Sequence, residues 1–270
     1  MSSREWNADL YHRISAPQVS WGKKVLGRVH LRGDEHVMDA GCGTGRLTRD
    51  LLEGLPHGRV TAVDVSQNML RNAEKHLVPQ FGERVQFVHT DLQHLPFDRQ
   101  FDGIFSTASF HWIKDHSQLF AGLFRALKPG GWLVAQCGGS GNLGKFLARV
   151  DRVLASEPYR EPMAGFAFPW EFADNVTCAR RLRCAGFSDV ETSLEEAPTR
   201  FSNAAEFEQF VASVILRQHL DYLPNPSMRQ HLLDEVTAQS AQDDPPFLLD
   251  YWRLNLSAKK PPVAELTIED

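Results

Sequence analysis

Between residues 36 and 137 the chain alternates short apolar runs with longer amphipathic segments. The short runs are rich in Val, Ile and Phe, which favour strands, and the longer segments repeat apolar residues at helical spacing. Strands are predicted at 37–38, 60–63, 85–89, 101–109 and 132–137, and helices at 46–55, after Ser66 and at 117–127. Because strand and helix alternate strictly, we expect a parallel, doubly wound sheet with helices on both faces.

The alternation ends near residue 138, and the rest of the chain mixes helices with proline-bearing loops. Helices are predicted over 142–156, 204–219 and 226–241, and two further strands over 188–194 and 251–257. In front of the first strand, residues 6–31 carry apolar side chains near helical spacing, which predicts a lid or flanking helix. The polar segment before that helix is expected either to fold back over a site or to form a partly ordered arm.

A glycine-rich turn follows the first predicted strand, in the sequence DAGCGTGR at residues 39–46. Glycines let the chain turn tightly and let a ligand approach the backbone, and the helix behind them offers free N–H groups. The glycines are Gly41, Gly43 and Gly45, whereas Arg46 stands where a dinucleotide-binding motif has its third glycine. The turn therefore predicts a nucleotide-type ligand without a pyrophosphate.

Aspartates follow three successive strands at their carboxyl ends: Asp39, Asp64 and Asp91. Ligands bind outside these strand ends in an open parallel sheet, so the three carboxylates are expected to converge there. Asp64 comes 19 residues after Gly45, a position from which a carboxylate can accept both hydroxyls of a ribose. The alternative is that Asp64 only caps the next helix.

Composition narrows the classes of protein to be considered. The net charge of −5 and the pI of about 6.1 give no broad basic field, which argues against nucleic acid as a partner. No apolar run approaches the roughly 20 residues of a membrane span, and the N-terminus lacks the apolar core of a signal peptide. A cytoplasmic location without membrane contact is therefore expected. The four cysteines lack metal-binding spacing, so no metal site is expected.

Five segments, taken in order, resemble the motifs of the class I S-adenosylmethionine-dependent methyltransferases. They are DAGCGTG at 39–45, VDVSQNML at 63–70, HTDLQHLPF at 89–97, LKPGGWLV at 127–134 and AGFSDVETS at 185–193. The resemblance covers essentially residues 5–258. It implies an α/β fold with a doubly wound, Rossmann-like, mostly parallel seven-stranded sheet, an antiparallel terminal strand and a helical cap.

The same resemblance divides the chain into five segments. An N-terminal arm and lid helix, residues 1–32, would precede the S-adenosylmethionine-binding core, residues 33–138. A cap segment at 139–187 would follow. The terminal strands of the core, with inserted cap helices, would occupy 188–258, and a polar tail would occupy 259–270.

The resemblance also implies which residues would bind the cofactor. The glycine turn would approach the methionine portion, and the second strand end would hold the ribose and pack on the adenine ring. The end of the third strand would hydrogen-bond the amino edge of the adenine, and the end of the fourth would lie beside the methionine tail. Tyr11 of the arm would close over the ligand. The full set is Tyr11, Asp39, Gly41, Cys42, Gly43, Asp64, Val65, Met69, Asp91, Leu92 and Thr107.

Within the class, the segments at 6–18 and 106–116 look most similar to trans-aconitate and juvenile hormone acid methyltransferases, which esterify carboxylates. In the insect enzymes and their plant relatives, a glutamine of the arm and a His-Trp pair grip the substrate carboxylate. Gln18, His111 and Trp112 match these positions. A carboxylate is already nucleophilic at neutral pH, so its methylation needs positioning and desolvation more than a base. The alternative is that the pair packs under the cap and that Gln18 is a surface residue.

The cap is where substrate specificity is expected. Residues 159–170 are aromatic and apolar, and Arg160 and Arg183 are candidate partners for a second anionic group. The apolar stripe at 207–215 is more typical of a core than of a pocket.

The sequence therefore predicts an S-adenosylmethionine-dependent methyltransferase that acts on a small organic molecule, as a monomer or weak homodimer. A carboxylate oxygen is the expected acceptor. The alternatives within the enzyme class are methylation of carbon, nitrogen or a phenolic oxygen, and His111 would be the natural general base for a hydroxyl. From another class, the chain could be a catalytically silent cofactor-binding module, since fold alone does not establish activity.

Overall fold

The computed structural model describes Glu5 and residues 16–262. Its main sheet contains strands β1 (His36–Ala40), β2 (Arg59–Asp64), β3 (Val85–His89), β4 (Phe101–Thr107), β5 (Leu127–Gly138), β6 (Ser188–Glu196) and β9 (Trp252–Lys259). The seven strands are ordered β3-β2-β1-β4-β5-β9-β6. Strands β1 to β5 pair in parallel, whereas β9 pairs antiparallel with both β5 and β6. The predicted mostly parallel sheet with an antiparallel terminal strand is confirmed.

Helices surround this sheet. Those that pack against the sheet are α1 (Ala16–Leu26), α2 (Arg46–Glu53), α3 (Gln67–Phe81), α4 (His116–Ala126) and α6 (Asn175–Cys184), whereas α5 (Gly144–Leu154) belongs to the apolar cluster of the cap. The cap contains α7 (Ala204–Phe210), a π-helical turn (Val211–Ile215), α8 (Arg217–Tyr222) and α9 (Pro226–Ser240), with a small ribbon of β7 (Thr199–Arg200) and β8 (Leu248–Leu249). None of the described helices combines the length and the apolarity needed to cross a bilayer.

Short polar side chains set where several helices begin. The Ser66 hydroxyl accepts a hydrogen bond from the backbone N–H of Met69, at 3.3 Å, at the start of α3. The Asp115 carboxylate does the same for α4, and Asp174 for α6. Such caps satisfy N–H groups that have no partner inside the helix. The predicted cap at Ser66 is present in the structure.

Apolar residues of the central strands divide between the two faces of the sheet. Val37 of β1 packs with α2 and α3, whereas its neighbour Met38 packs with α4 and α6. Phe105 and Ile104 of β4 divide in the same way, as expected of side chains that alternate along a strand. A separate apolar cluster fills the cap and includes the predicted stripe at 207–215.

Strand β5 begins five residues earlier than predicted. Leu127 pairs with Phe101 and Trp132 pairs with Gly103, so the KPGG segment at 128–131 forms an irregularity inside the strand. Gly130 has a φ of +79°, a value that glycine adopts without strain. A side chain on Gly103 would overlap the Trp132 ring, so this glycine makes room for the indole. A pattern typical of a turn is therefore accommodated within a paired strand.

Candidate functional site

A cavity lies outside the carboxyl ends of the parallel strands, between the sheet and the cap. Its empty space, counting the open mouth, is about 1330 Å³. The cavity is open to solvent, and residues of the glycine turn, of the strand ends and of the cap line it.

The glycine turn forms one wall of the cavity and is pinned to β2. The N–H groups of Gly41 and Cys42 both donate to the carbonyl of Val63, at 2.8 and 3.0 Å. Gly41 has a φ of +82°, and a side chain there would overlap the Ser109 hydroxyl. Gly43 has a φ of +54°, and a side chain there would meet no atom within 4 Å. Gly43 therefore borders the cavity with bare backbone that a ligand can approach.

Asp64 braces the turn and also lines the cavity. One carboxylate oxygen accepts the N–H of Gly43 at 2.9 Å, and the other accepts the N–H of Ser66 at 2.8 Å. Burial raises the pKa of this carboxyl, although the backbone N–H groups oppose the shift. Each oxygen has further lone pairs, so the carboxylate can accept ligand hydroxyls while it holds the turn.

Two other predicted residues of the turn stand behind the cavity wall. Asp39 is buried and accepts a hydrogen bond from the Thr48 hydroxyl at 2.6 Å, and burial raises its pKa to about 7. The Cys42 side chain packs against Ala62 and Leu70. Neither Asp39 nor Cys42 lines the cavity. Their assignment as cofactor-binding residues stays a prediction. In the structure, the contacts of Asp39 and Cys42 support the shape of the glycine turn.

The remaining cofactor candidates within the described residues lie together along one side of the cavity. Val65, Met69, Asp91, Leu92 and Thr107 all line it. Val65 is 37% exposed, whereas Met69 and Leu92 are buried, so an apolar surface faces the open space beside Asp64. Tyr11 lies outside the described residues.

Glu5 is a residue that the sequence interpretation did not single out. Its carboxylate accepts the Ser66 hydroxyl at 3.1 Å and the N–H groups of Gln67 and Asn68 at 3.2 and 3.1 Å. It therefore caps α3 immediately beside Asp64. A carboxylate at a helix N-terminus is stabilised by the unpaired N–H groups and by the helix dipole.

The predicted His-Trp pair lies on a short 3₁₀ turn, Phe110–Trp112, that follows β4 and borders the cavity. Nδ1 of His111 accepts the backbone N–H of Gly138 at 3.2 Å. Burial lowers the pKa of His111 well below its usual value, and the positive charge of Arg253 adds to this. The imidazole is therefore neutral, and because Nδ1 is the acceptor, Nε2 carries the proton.

A hydrogen-bonded network fixes the turn that carries the pair. His116 Nε2 donates to the Phe110 carbonyl at 3.0 Å, and the Glu171 N–H donates to the His111 carbonyl at 2.9 Å. The two anchors are joined by Arg181, whose guanidinium donates to His116 Nδ1 at 3.2 Å and to Glu171 Oε1 at 3.0 Å. The position of His111 therefore depends on residues that stand behind it.

Gln18 and Trp112 line the same cavity as His111. Gln18 lies on α1, and its Oε1 atom is buried without a hydrogen-bond partner among the described residues. The Trp112 ring lies 5.5 Å from that of Trp170 in the cap. The structure thus brings the three predicted acceptor residues to one cavity, together with Gly41, Gly43 and Asp64.

Two arginines that the sequence interpretation missed line the cavity, and the two that it proposed do not. Arg160 and Arg183 are exposed and donate to backbone carbonyls elsewhere on the surface. Arg217 of α8 and Arg253 of β9 face the cavity instead. Arg253 is 3% exposed, and its guanidinium lies 4.6 Å from the Trp21 ring centre. The proposal of Arg160 and Arg183 as anion partners in the cavity is therefore wrong.

A π-helical turn in the cap sets which residues face the cavity. The N–H of Leu216 donates to the carbonyl of Val211 five residues earlier, at 2.7 Å. Val214 and Ile215 line the cavity on this turn, and Arg217 and Gln218 line it on the helix that follows. The stripe at 207–215 therefore contributes to both core and pocket, since Phe207, Phe210 and Val211 are buried in the cap.

Comparison with known sequences identifies the central segment. A family profile described as a methyltransferase domain matches residues 38–135. A trans-aconitate 2-methyltransferase from Acidovorax ebreus is 34% identical over 161 residues, which cover 59% of this chain and 60% of that protein. One from Paracidovorax citrulli is 29% identical over 234 residues, covering 82% of this chain and 83% of that protein. The match to the Acidovorax ebreus protein thus spans about 60% of its length.

Comparison with solved structures concerns the fold. Phosphoethanolamine N-methyltransferase 2 from Haemonchus contortus, in complex with phosphomonomethylethanolamine and S-adenosylhomocysteine, superposes with a TM-score of 0.60 at 20% identity, covering 94% of this chain and 57% of that chain. A putative methyltransferase from Bacillus halodurans gives 0.62 at 17% identity, covering 90% of this chain and 99% of that chain. Residues 38–135 therefore match the methyltransferase-domain family, and the chain shares the fold of these solved methyltransferases.

Proposed function

We propose that the protein transfers the methyl group of S-adenosylmethionine to a carboxylate oxygen of a small organic molecule. The observation that carries this proposal is the hydrogen bond from the Gly138 N–H to Nδ1 of His111. It leaves the imidazole with a proton on Nε2, so His111 is a hydrogen-bond donor in the cavity and a poor general base.

The cofactor end of the cavity fits S-adenosylmethionine. The bare backbone of Gly43 leaves space that a side chain would fill, and the Asp64 carboxylate has lone pairs for ribose hydroxyls. Val65 offers an exposed apolar surface for the adenine ring. When bound, the cofactor supplies an electrophilic methyl group on its sulfonium.

The acceptor end suits a group that needs no deprotonation. Neutral His111 and the Trp112 indole each offer an N–H donor, which can orient a carboxylate without taking a proton from it. A phenol or an ammonium group would require a base, and the lowered pKa of His111 makes its imidazole a weak one. Sequence similarity to proteins named trans-aconitate 2-methyltransferases also favours a carboxylic acid.

A labelled-methyl screen tests the proposal. Purified protein is incubated with labelled S-adenosylmethionine and a library of acids, phenols and amines, and each product is identified by mass spectrometry. Methyl esters are expected. Products methylated only at carbon, nitrogen or a phenolic oxygen would refute carboxylate methylation, and cofactor binding without any transfer would favour a silent cofactor-binding module.

Variants separate the two ends of the site. Asp64→Ala is expected to weaken cofactor binding measured by calorimetry. Gln18→Ala and Trp112→Phe are expected to reduce ester formation while leaving the affinity for S-adenosylhomocysteine unchanged. Full activity in both of these variants would remove Gln18 and Trp112 from the acceptor site.

A further inference from the structure

We infer that Arg253 anchors the negative charge of the methyl acceptor, beside the His111–Trp112 pair. The inference rests on the proposed function and assigns to the acceptor site a residue on the antiparallel strand β9. Arg253 lines the cavity and is only 3% exposed.

Pairing of the strands places Arg253 next to the predicted acceptor residues. Arg253 is the register partner of Gly138 across β9 and β5, and Gly138 is the residue whose N–H holds His111. The two side chains therefore border the cavity on neighbouring parts of its wall. The positive charge of Arg253 lowers the pKa of the His111 imidazole, and only burial has a larger effect on that pKa.

The guanidinium is held in a defined orientation. The Trp21 ring covers it at 4.6 Å, and the Tyr251 ring meets Trp21 at 4.9 Å. Its Nε lies 3.5 Å from Gln136 Oε1, and Gln136 in turn donates to Asn255 at 2.7 Å. A guanidinium whose plane is fixed in this way loses little freedom when it binds a carboxylate with two parallel N–H groups.

The distribution of charge around the cavity also favours an anion near Arg253. Among the described residues that line the cavity, the carboxylates are Asp64 and Asp91, at the proposed nucleotide end. Gln18 and His111, which line the cavity with Arg253, are neutral at physiological pH. Arg217 also lines the cavity, on the cap helix α8, with the Asp221 carboxylate 3.6 Å away. Arg253 is the more deeply buried of the two arginines and lies beside the residue that holds His111, so we expect the acidic group to bind at Arg253.

Calorimetry on protein saturated with S-adenosylhomocysteine tests this inference with defined probes. The probes are acetate, phenylacetate and octanoate, each compared with its primary amide. The wild-type protein is expected to bind at least one acid more tightly than its amide. Because hydrogen bonds to charged groups are worth about 1.5–3 kcal/mol, Arg253→Met should weaken acid binding by roughly 10- to 150-fold and leave amide binding nearly unchanged.

Two further variants guard against a trivial loss of structure. Arg253→Lys keeps the charge and is expected to retain part of the preference for the acid. Arg28→Met removes an arginine that donates to Asn255 at 2.6 Å in the same polar network but does not line the cavity, so the acid preference should persist. Circular dichroism and the affinity for S-adenosylhomocysteine report whether each variant folds. If Arg253→Met does not fold, Arg253→Lys and the wild-type ratio of acid to amide binding carry the test.

The outcomes distinguish this inference from the proposed function. Equal binding of acid and amide by the wild type, or an unchanged preference in folded Arg253→Met, would overturn the role of Arg253. If acids are methylated and the variant remains fully active at low acid concentration, only the present inference fails. If acid binding depends on Arg253 but no ester forms in the labelled-methyl screen, only the proposed function fails.

Discussion

Replacement of Gly43 by alanine separates the contribution of the glycine turn to stability from its proposed contact with the cofactor. Gly43 has a φ of +54°, and a side chain built there meets no atom within 4 Å. The cost to folding is therefore backbone strain alone, about 1–2 kcal/mol for a left-handed residue with a Cβ. In a chain of this size such a loss lowers the melting temperature by roughly 2–8 °C.

Gly130 provides a matched control for that strain. It has a φ of +79°, and a side chain there also meets nothing within 4 Å. It lies in the irregular part of β5 and does not line the cavity. Gly130→Ala should therefore reduce stability by a similar amount without any effect on the cofactor.

The difference between the two variants lies in ligand binding. The methyl group of Gly43→Ala projects into space that the bound cofactor is expected to occupy. Overpacking by a methyl group costs about 1–3 kcal/mol, which corresponds to a loss of affinity of roughly 5- to 150-fold. Calorimetry with S-adenosylhomocysteine and thermal unfolding measure the two effects separately. If Gly43→Ala binds as tightly as Gly130→Ala, the turn does not contact the cofactor.

Three further predictions concern His111, its supports and the cap. Turnover of an acid substrate should stay constant between pH 8 and 6, because the lowered pKa keeps His111 neutral throughout; a loss of activity with an apparent pKa in that range would indicate a general base. Arg181→Met should displace the His111 turn and thereby reduce turnover on the order of tenfold. Cofactor affinity should stay unchanged, and Arg181→Lys should restore part of the turnover. Wild-type turnover in Arg181→Met would exclude a positioning role. Burial lowers the pKa of His219 to about 4. Between pH 7 and pH 4.5 this histidine takes up a proton in the unfolded chain but not in the folded protein. The free energy of unfolding should therefore fall by about 2–3 kcal/mol over that range. His219→Phe should show a smaller decline in urea titrations, and identical pH dependence in the two proteins would contradict this account.

The sequence predicted the parts of the molecule that local patterns determine. Alternating strand and helix patterns require a parallel sheet, and the cap at Ser66 depends on residues three positions apart. Asp64 could be found because its distance from the glycine turn is set by one strand–helix–strand unit. Contacts between residues of one such unit can therefore be predicted from sequence spacing alone.

The proposed acceptor side of the cavity depends on contacts between distant parts of the chain. Arg253 lies next to Gly138 only because β9 enters the sheet antiparallel to β5, and nothing in the strand pattern marks that residue for the cavity. Arg160 looked equally suitable in sequence, yet it points to solvent. The length of β5 was also underestimated, because its KPGG segment has the composition of a turn although it lies within the paired strand.

The π-helical turn at Val211–Ile215 suggests how the substrate range of such a protein can change during evolution. A π turn is equivalent to one residue inserted into an α-helix. Deletion of that residue would rotate the following helix by about 100° and carry Arg217 and Gln218 away from the cavity, while the sheet and the glycine turn keep their sequence. Under the proposed function, single-codon insertions and deletions in the cap are thus a route to new methyl acceptors while the cofactor stays the same.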